Sequence, residues 1–291
     1  MNIVYITNEN PKFVQFVNNS IESIRLHNTN CNFYVIISGT DCIKELDHDG
    51  IKQIRYEYDD KMNLKELRNS IDRHALISYT KLFLHEILSD LDKCLFVDAD
   101  TICFGNIEHL YNTEVEYIGC RYDNCDNIYE ISKLKQSFYK DYDSDIDRHI
   151  MSTLMLMNLE NLRKIDFTKI VFKDYIQLYN DYTSRLSLLN KMSWQDFWHH
   201  EEMYLTVNFF KNIQYMFLDK SDFIQLRQME SRIEANRELS KFLKLFDVRN
   251  INDKTQLKKI KTSFIHFCGL SFIDASHLFL KLSENVSNAR K

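Results

Sequence analysis

Glycine and proline are scarce, five and one in 291 residues. A chain so poor in both has few marked breaks, and the placement of Gly39, Gly50, Gly105, Gly119 and Gly269 becomes informative. No linker and no internal repeat is evident, so the simplest reading is one main domain with helical excursions. No run of about 18 apolar residues occurs, which argues against a membrane span. The start, MNIVYITNEN, lacks a basic stretch followed by a long apolar one and reads as a first strand, not a signal peptide. Basic residues are not in excess: 37 Lys and Arg stand against 42 Asp and Glu, a net charge of −5. A nucleic-acid partner is therefore not expected. Seven cysteines include no Cys-x-x-Cys pair, which argues against structural zinc. Their odd number and irregular spacing fit a reducing cytoplasm, the expected location.

What is present is an alternation of strand-like and helix-like segments. Residues 3–6 (IVYI) end in the polar cluster Thr7-Asn8-Glu9-Asn10, followed by Pro11. Phe13, Val17, Ile21 and Ile24 then recur at helical spacing, and NFYVIISG follows as a β-rich run. Such a β-loop-α-β unit builds parallel sheets and places ligands at the carboxyl ends of strands. Residues 64–90 read as helical, KCLFV (93–97) as a buried strand, EYIGC and TLMLMN as further strands. Residues 121–150 are polar and aperiodic and read as a partly helical, mobile insertion. Residues 160–190 and 271–291 read as helices, with SFIHF (263–267) a late strand. The fold class expected is α/β.

The strand KCLFV runs directly into Asp98-Ala99-Asp100. Residues i and i+2 of an extended chain face the same way, so two carboxylates meet at a strand's carboxyl end. Paired oxygen ligands suit Mg²⁺ or Mn²⁺, which keep sites open for water and phosphate. The alternative is that Asp98 and Asp100 cap the following turn. A rival chemistry, the haloacid-dehalogenase type of phosphatase, also follows a strand with Asp-x-Asp and uses the first Asp as nucleophile. There the motif opens the chain, whereas here a complete βαβ unit precedes it.

The stretch YTKLFLHEILSDLDKCLFVDADTICFGNIEHLY (79–111) resembles glycosyltransferase family 8, the retaining galactosyl- and glucosyltransferases that include bacterial lipooligosaccharide enzymes. The N-terminal MNIVYITNENPKFVQFVNNSIESI, MLMNL (155–159) and IHFCG (265–269) resemble further family blocks in the same order. The resemblance implies a GT-A fold: a Rossmann-like mixed sheet flanked by helices over residues 1–270, with a small C-terminal helical tail over 271–291. It implies a UDP-sugar donor, galactose or glucose, and Mn²⁺ or Mg²⁺. By position, Asp98, Asp100 and His266 would be the metal ligands. Ile6, Thr7, Asn8, Asn10, Lys81, Asp98, Ala99 and Gly269 would contact the nucleotide-sugar. The acceptor implied is a glycan, lipid-linked or protein, as in bacterial surface glycan synthesis.

Several positions depart from the family. Lys81 stands where arginine is usual, which keeps charge but loses the planar fork. Met151-Ser152-Thr153 replaces a small polar segment, and Phe272 replaces a lysine. Glu201-Glu202-Met203 aligns with the family's Asp-Gln-Asp, so a carboxylate, Glu202, replaces the glutamine proposed as nucleophile. Glu202, with Glu201 beside it, is thus the candidate catalytic group, facing the donor's anomeric carbon as in retaining glycosidases. The alternative is that both glutamates form a solvated helix start. His199-His200 lacks the spacing of a helical metal pair. The lost pocket residues also motivate a second class of function, a catalytically silent relative that binds a sugar nucleotide. LKKIK (257–261) and the apolar face of 271–282 are compatible with peripheral docking on an anionic membrane, although such faces usually pack on their own domain.

Overall fold

A computed structural model describes residues 1–37, 43–46, 50–56, 80–124, 148–173, 216–217, 223–226, 232–267 and 273–291. The chain divides into two compact units: Met1–Asp59, Cys94–Thr113 and Leu218–Lys291 form the first, Asp60–Lys93 and Glu114–Phe217 the second.

The first unit is built on a parallel sheet. β1 (Asn2–Thr7) pairs with β2 (Asn32–Ile37) from Asn2↔Asn32 to Thr7↔Ile37. β2 pairs with β3 (Ile51–Arg55), and β1 pairs on its other side with β4 (Lys93–Val97) through Ile3↔Leu95 and Val4↔Phe96. β1 and β4 are apolar runs buried on both faces, as the interior strands of a parallel sheet must be. The crossover between β1 and β2 is α1 (Pro11–His27). Asn10 caps it by accepting from the Lys12 amide at 3.0 Å, and Pro11 fills the first turn, where no amide is needed. Val14, Val17, Ile21 and Ile24 form its buried stripe, so Val14 takes the place expected for Phe13.

A second, three-stranded sheet in the same unit joins β5 (Thr101–Cys103), β9 (Phe223–Leu226) and β10 (Phe264–Phe267). β10 is central, antiparallel to β5 and parallel to β9. Helices α6 (Arg232–Leu245), α7 (Lys254–Leu257) and α8 (Ile273–Arg290) cover it. Phe242, Phe279, Leu282 and Val286 pack with Ile102, Phe104 and Phe267 in one buried cluster. α8 is also held by polar contacts. The Ser283 hydroxyl donates to the Cys103 carbonyl at 2.6 Å, the Ser287 hydroxyl to Leu26 at 2.8 Å, and Arg290 to the carbonyls of Phe104 and Ile260. Phe279 and Leu282 of the apolar face read as a candidate membrane contact are therefore buried within this unit. Leu257 and Ile260 of LKKIK are buried as well, with only the lysines exposed. No helix among the described residues is long and apolar enough to cross a membrane.

In the second unit β6 (Ile118–Asn124) pairs antiparallel with β7 (Arg148–Asn158), with an irregularity between Cys120 and Arg121, and parallel with β8 (Met216–Phe217). The ends of the stretch read as an insertion are thus strand, because ladder pairing overrides the polar local sequence; residues 125–147 lie outside the described residues. α2 (Leu84–Ile87), α4 (Leu159–Lys164) and α5 (Phe167–Lys173) belong here, and α3 (Glu108–Tyr111) to the first unit. Arg163 gathers the carbonyls of His85, Leu88 and Leu91. Among the described residues Cys31, Cys94, Cys103 and Cys120 are free thiols.

His85, 2% exposed, sits edge-on to Phe167 with its Nε2 3.1 Å from the Thr168 hydroxyl. Burial holds the imidazole down at about 4, against the opposing pull of Glu86. An unfolded histidine titrates near 6.5, so between these values the unfolded chain binds the extra proton. The stabilisation is complete above about pH 6.5 and is lost as pH falls toward 4. Urea melts should show about 2 kcal/mol less stability at pH 4.5 than at pH 7 from this residue, and H85Q should shrink the difference. In the other unit, Phe279→Ala should cost about 3–5 kcal/mol in the same assay.

Candidate metal centre

β1 and β4 are parallel neighbours, so their carboxyl ends lie at one edge of the sheet. Two residues beyond the Val4↔Phe96 pair, the strands reach Ile6 and Asp98. The TNEN segment and the Asp98-Ala99-Asp100 turn thus leave the sheet side by side, at the edge where open α/β sheets bind ligands. Ile6 and Thr7 are buried, Asn8 is half-buried and Asn10 exposed. The Asn8 carboxamide oxygen accepts from the Asn10 amide at 3.0 Å, which shapes the loop before α1. Thr7, Asn8 and Asn10 bond locally within this loop.

The chain then reverses. The Thr101 hydroxyl donates to the Asp98 carbonyl at 2.8 Å and closes the turn. β5 begins at Thr101 and pairs with β10 in the register His266↔Thr101, and the Phe267 amide donates to the Asp100 carbonyl at 2.9 Å. This ladder carries His266 to the acidic turn. His266 Nε2 lies 3.3 Å from Asp100 Oδ1, with the two side chains 7% and 12% exposed. One ligand atom each from Asp98, Asp100 and His266 falls within 4.8 Å of the others.

This donor set fits a divalent cation. Neighbouring ligands of an octahedral ion with bonds of about 2.1 Å stand about 3 Å apart, and opposite ones about 4.2 Å. The 3.3 Å contact matches adjacent ligands. Two carboxylates facing one largely buried imidazole leave negative charge that a cation neutralises. Mixed oxygen and nitrogen donors suit Mn²⁺ and also admit Mg²⁺.

Lys81, in the second unit, is 6% exposed in a short 3₁₀ segment, Thr80–Phe83, and donates to the Ser152 hydroxyl at 3.0 Å. Two of the departures from the family, at 81 and 152, are therefore in direct contact. Met151 and Thr153 flank Ser152 and are buried in β7. Glu201, Glu202, His199, His200, Gly269 and Phe272 lie outside the described residues. Thr101 was not among the expected site residues. Its signal was a hydroxyl three positions after Asp98, at the spacing of a side-chain-closed turn.

Residues 2–271 match the family model described as glycosyl transferase family 8. No curated protein matches the sequence. Among solved structures, the galactosyltransferase LgtC in complex with donor and acceptor sugar analogues has a TM-score of 0.56 at 15% identity, covering 97% of this chain and 95% of that one. An active-site variant of LgtC with glutamate in place of a glutamine gives 0.54 at 16%, covering 92% and 88%. Mouse xyloside xylosyltransferase 1 gives 0.53 at 13%, covering 91% and 97%. These likenesses establish the GT-A fold.

D98N and D100N should abolish Mn²⁺ binding, measured by loss of the free-ion paramagnetic resonance signal. H266A should weaken it by at least about tenfold.

Proposed function

The chain belongs to glycosyl transferase family 8, and from that premise we propose that it moves a hexose, galactose or glucose, from a UDP-sugar to a glycan or glycoconjugate acceptor, with retention and with Mn²⁺. The observation that carries this reading is the convergence of Asp98, Asp100 and His266 at the carboxyl edge of a parallel sheet. Asp98, Asp100 and His266 would hold a divalent cation, which would supply the positive charge that offsets the diphosphate of the leaving nucleotide. The chain's own part is placement. Asp98 and Asp100 are held by the Thr101 turn and the β5–β10 ladder. Ile6, Thr7, Asn8 and Asn10 stand at the adjacent strand end to receive the nucleoside, Ala99 would contact the nucleotide-sugar, and Gly269, lacking a Cβ, would let the backbone approach the diphosphate. LgtC, solved with donor and acceptor analogues, supports the substrate class.

Glu202 is assigned to the face of the anomeric carbon, with Glu201 beside it. LgtC has been solved with an active-site glutamine replaced by glutamate; by its resemblance to the family's Asp-Gln-Asp segment, Glu202 would stand where the family carries its glutamine. Glu202 would serve either as nucleophile, displacing UDP before the acceptor hydroxyl displaces it in turn so that two inversions give retention, or as the carboxylate that stabilises an oxocarbenium-like transition state. The chain works in the cytoplasm on a bacterial surface glycan or a related acceptor; the burial of the α8 face leaves any peripheral membrane contact to the exposed lysines of LKKIK.

UDP release should be detected with UDP-galactose or UDP-glucose and Mn²⁺, and lost on chelation. Binding of UDP without turnover across a broad acceptor screen would instead identify a silent relative. E202A should lower kcat by about a hundredfold or more; near-normal turnover would remove Glu202 from the chemistry.

A further inference from the structure

Behind the acidic turn runs a line of buried hydroxyls. Tyr5 Oη lies 2.8 Å from Ser20 Oγ, Ser20 Oγ lies 3.1 Å from Thr101 Oγ1, and Thr101 Oγ1 donates to the Asp98 carbonyl at 2.8 Å. The three side chains come from β1, α1 and β5, and each residue is at most 1% exposed. Their proton count fixes the direction of the line. A hydroxyl has one hydrogen. That of Thr101 goes to Asp98, so Thr101 accepts from Ser20, and Ser20 in turn accepts from Tyr5. Burial pushes the Tyr5 phenol up, so it keeps its proton throughout the physiological range. Ser20 is itself anchored, because the Ser23 hydroxyl donates to the Ser20 carbonyl and accepts from the Cys103 amide. The line is thus tied to β5 twice, once at Thr101 and once at Cys103.

We infer that Tyr5, Ser20 and Thr101 are positioning residues for the metal centre: their one-way chain of hydrogen bonds, Tyr5 to Ser20 to Thr101 to the Asp98 carbonyl, sets the orientation of the Asp98-Ala99-Asp100 turn. The inference rests on the metal reading of Asp98, Asp100 and His266. Each donor polarises the next, so the bond that closes the turn is strengthened by groups that touch neither cation nor substrate. The rotamer of Thr101 is held from both sides, and through it the peptide that follows Asp98. The bond to this turn from the Phe267 amide, to the Asp100 carbonyl at 2.9 Å, lies two residues beyond the first carboxylate and does not fix the peptide that follows Asp98.

The test is Mn²⁺ titration by paramagnetic resonance on the full chain, with thermal melting to confirm folding. Thr101→Val should weaken Mn²⁺ binding about ten- to hundredfold, and Thr101→Ser, which keeps the hydroxyl, should restore it. Tyr5→Phe should weaken it roughly two- to tenfold. In the Thr101→Val background Tyr5→Phe should have no further effect, because the line is already cut. A structural role alone would change melting without this pattern. Folded Tyr5→Phe and Thr101→Ser variants suffice if Thr101→Val does not fold: wild-type affinity in Tyr5→Phe, or failure of Thr101→Ser to bind as wild type does, overturns the inference. Independent, additive effects of the Tyr5 and Thr101 changes overturn it too. D98N separates the two levels: if it binds Mn²⁺ as wild type does, the metal reading falls and the inference with it. If D98N abolishes binding while Tyr5→Phe and Thr101→Val change nothing, only the inference falls.

Discussion

The antiparallel pairing of Thr101–Cys103 with Phe264–Phe267 is the contact on which the rest of the site depends. It joins the strand that leaves the acidic turn to a strand more than half the chain away. The register His266↔Thr101 decides that a histidine, and not Ile265 or Phe267, faces the carboxylates. A shift of one residue would turn His266 to the other face and bring an apolar neighbour forward. The Phe267 amide bonded to the Asp100 carbonyl extends the same ladder into the turn. One ladder therefore positions two of three candidate ligands relative to each other.

Such a ladder is costly unless it is covered, because a three-stranded sheet has edges and an apolar face. The cover comes from α6, α7 and α8. Phe242 and Phe279 meet edge-on with ring centres 5.9 Å apart, and Phe267 meets Phe279 at 5.0 Å. Serines on α8 reach carbonyls of β5 and α1, and Arg290 reaches two more carbonyls near the end of the helix. These bonds satisfy backbone groups that would otherwise be buried without partners. The C-terminal helix is thus tied to the same strand, β5, that begins beside the acidic turn.

The acidic turn gathers like charge at partial burial, which a protein tolerates when a cation or a donor set answers it. Here the answer is divided. The carbonyls of Asp98 and Asp100 are bonded to protein donors, Thr101 and Phe267, and the Asp100 carboxylate faces His266. Backbone bonds thus fix the turn that carries the carboxylates. In the second unit the contact of Lys81 with Ser152 shows two departures from the family acting as one local pair.

Local pattern determined a great deal. The apolar run ending at Asp98, the alternation of IVYI with the Phe13–Ile24 periodicity, and the β-rich NFYVII specified a parallel βαβ start, because burial on both faces demands such runs. They also placed TNEN and Asp98 at strand ends, where a parallel sheet exposes its ligand edge. The polar strand ends of β6 and β7, the short strands β3, β5 and β9, and helix α6 were not legible, since their conformation is decided by partners distant in the chain. Asp98 and Asp100 announce themselves by adjacency. His266 is one of ten histidines, marked in the sequence only by its resemblance to a family block; Thr101 is marked only by its spacing from Asp98, and Ser20 and Tyr5 carry no mark at all. Their meeting was decided by tertiary structure alone, because side chains from three elements share hydrogens only when sheet register and helix packing bring them within bonding distance.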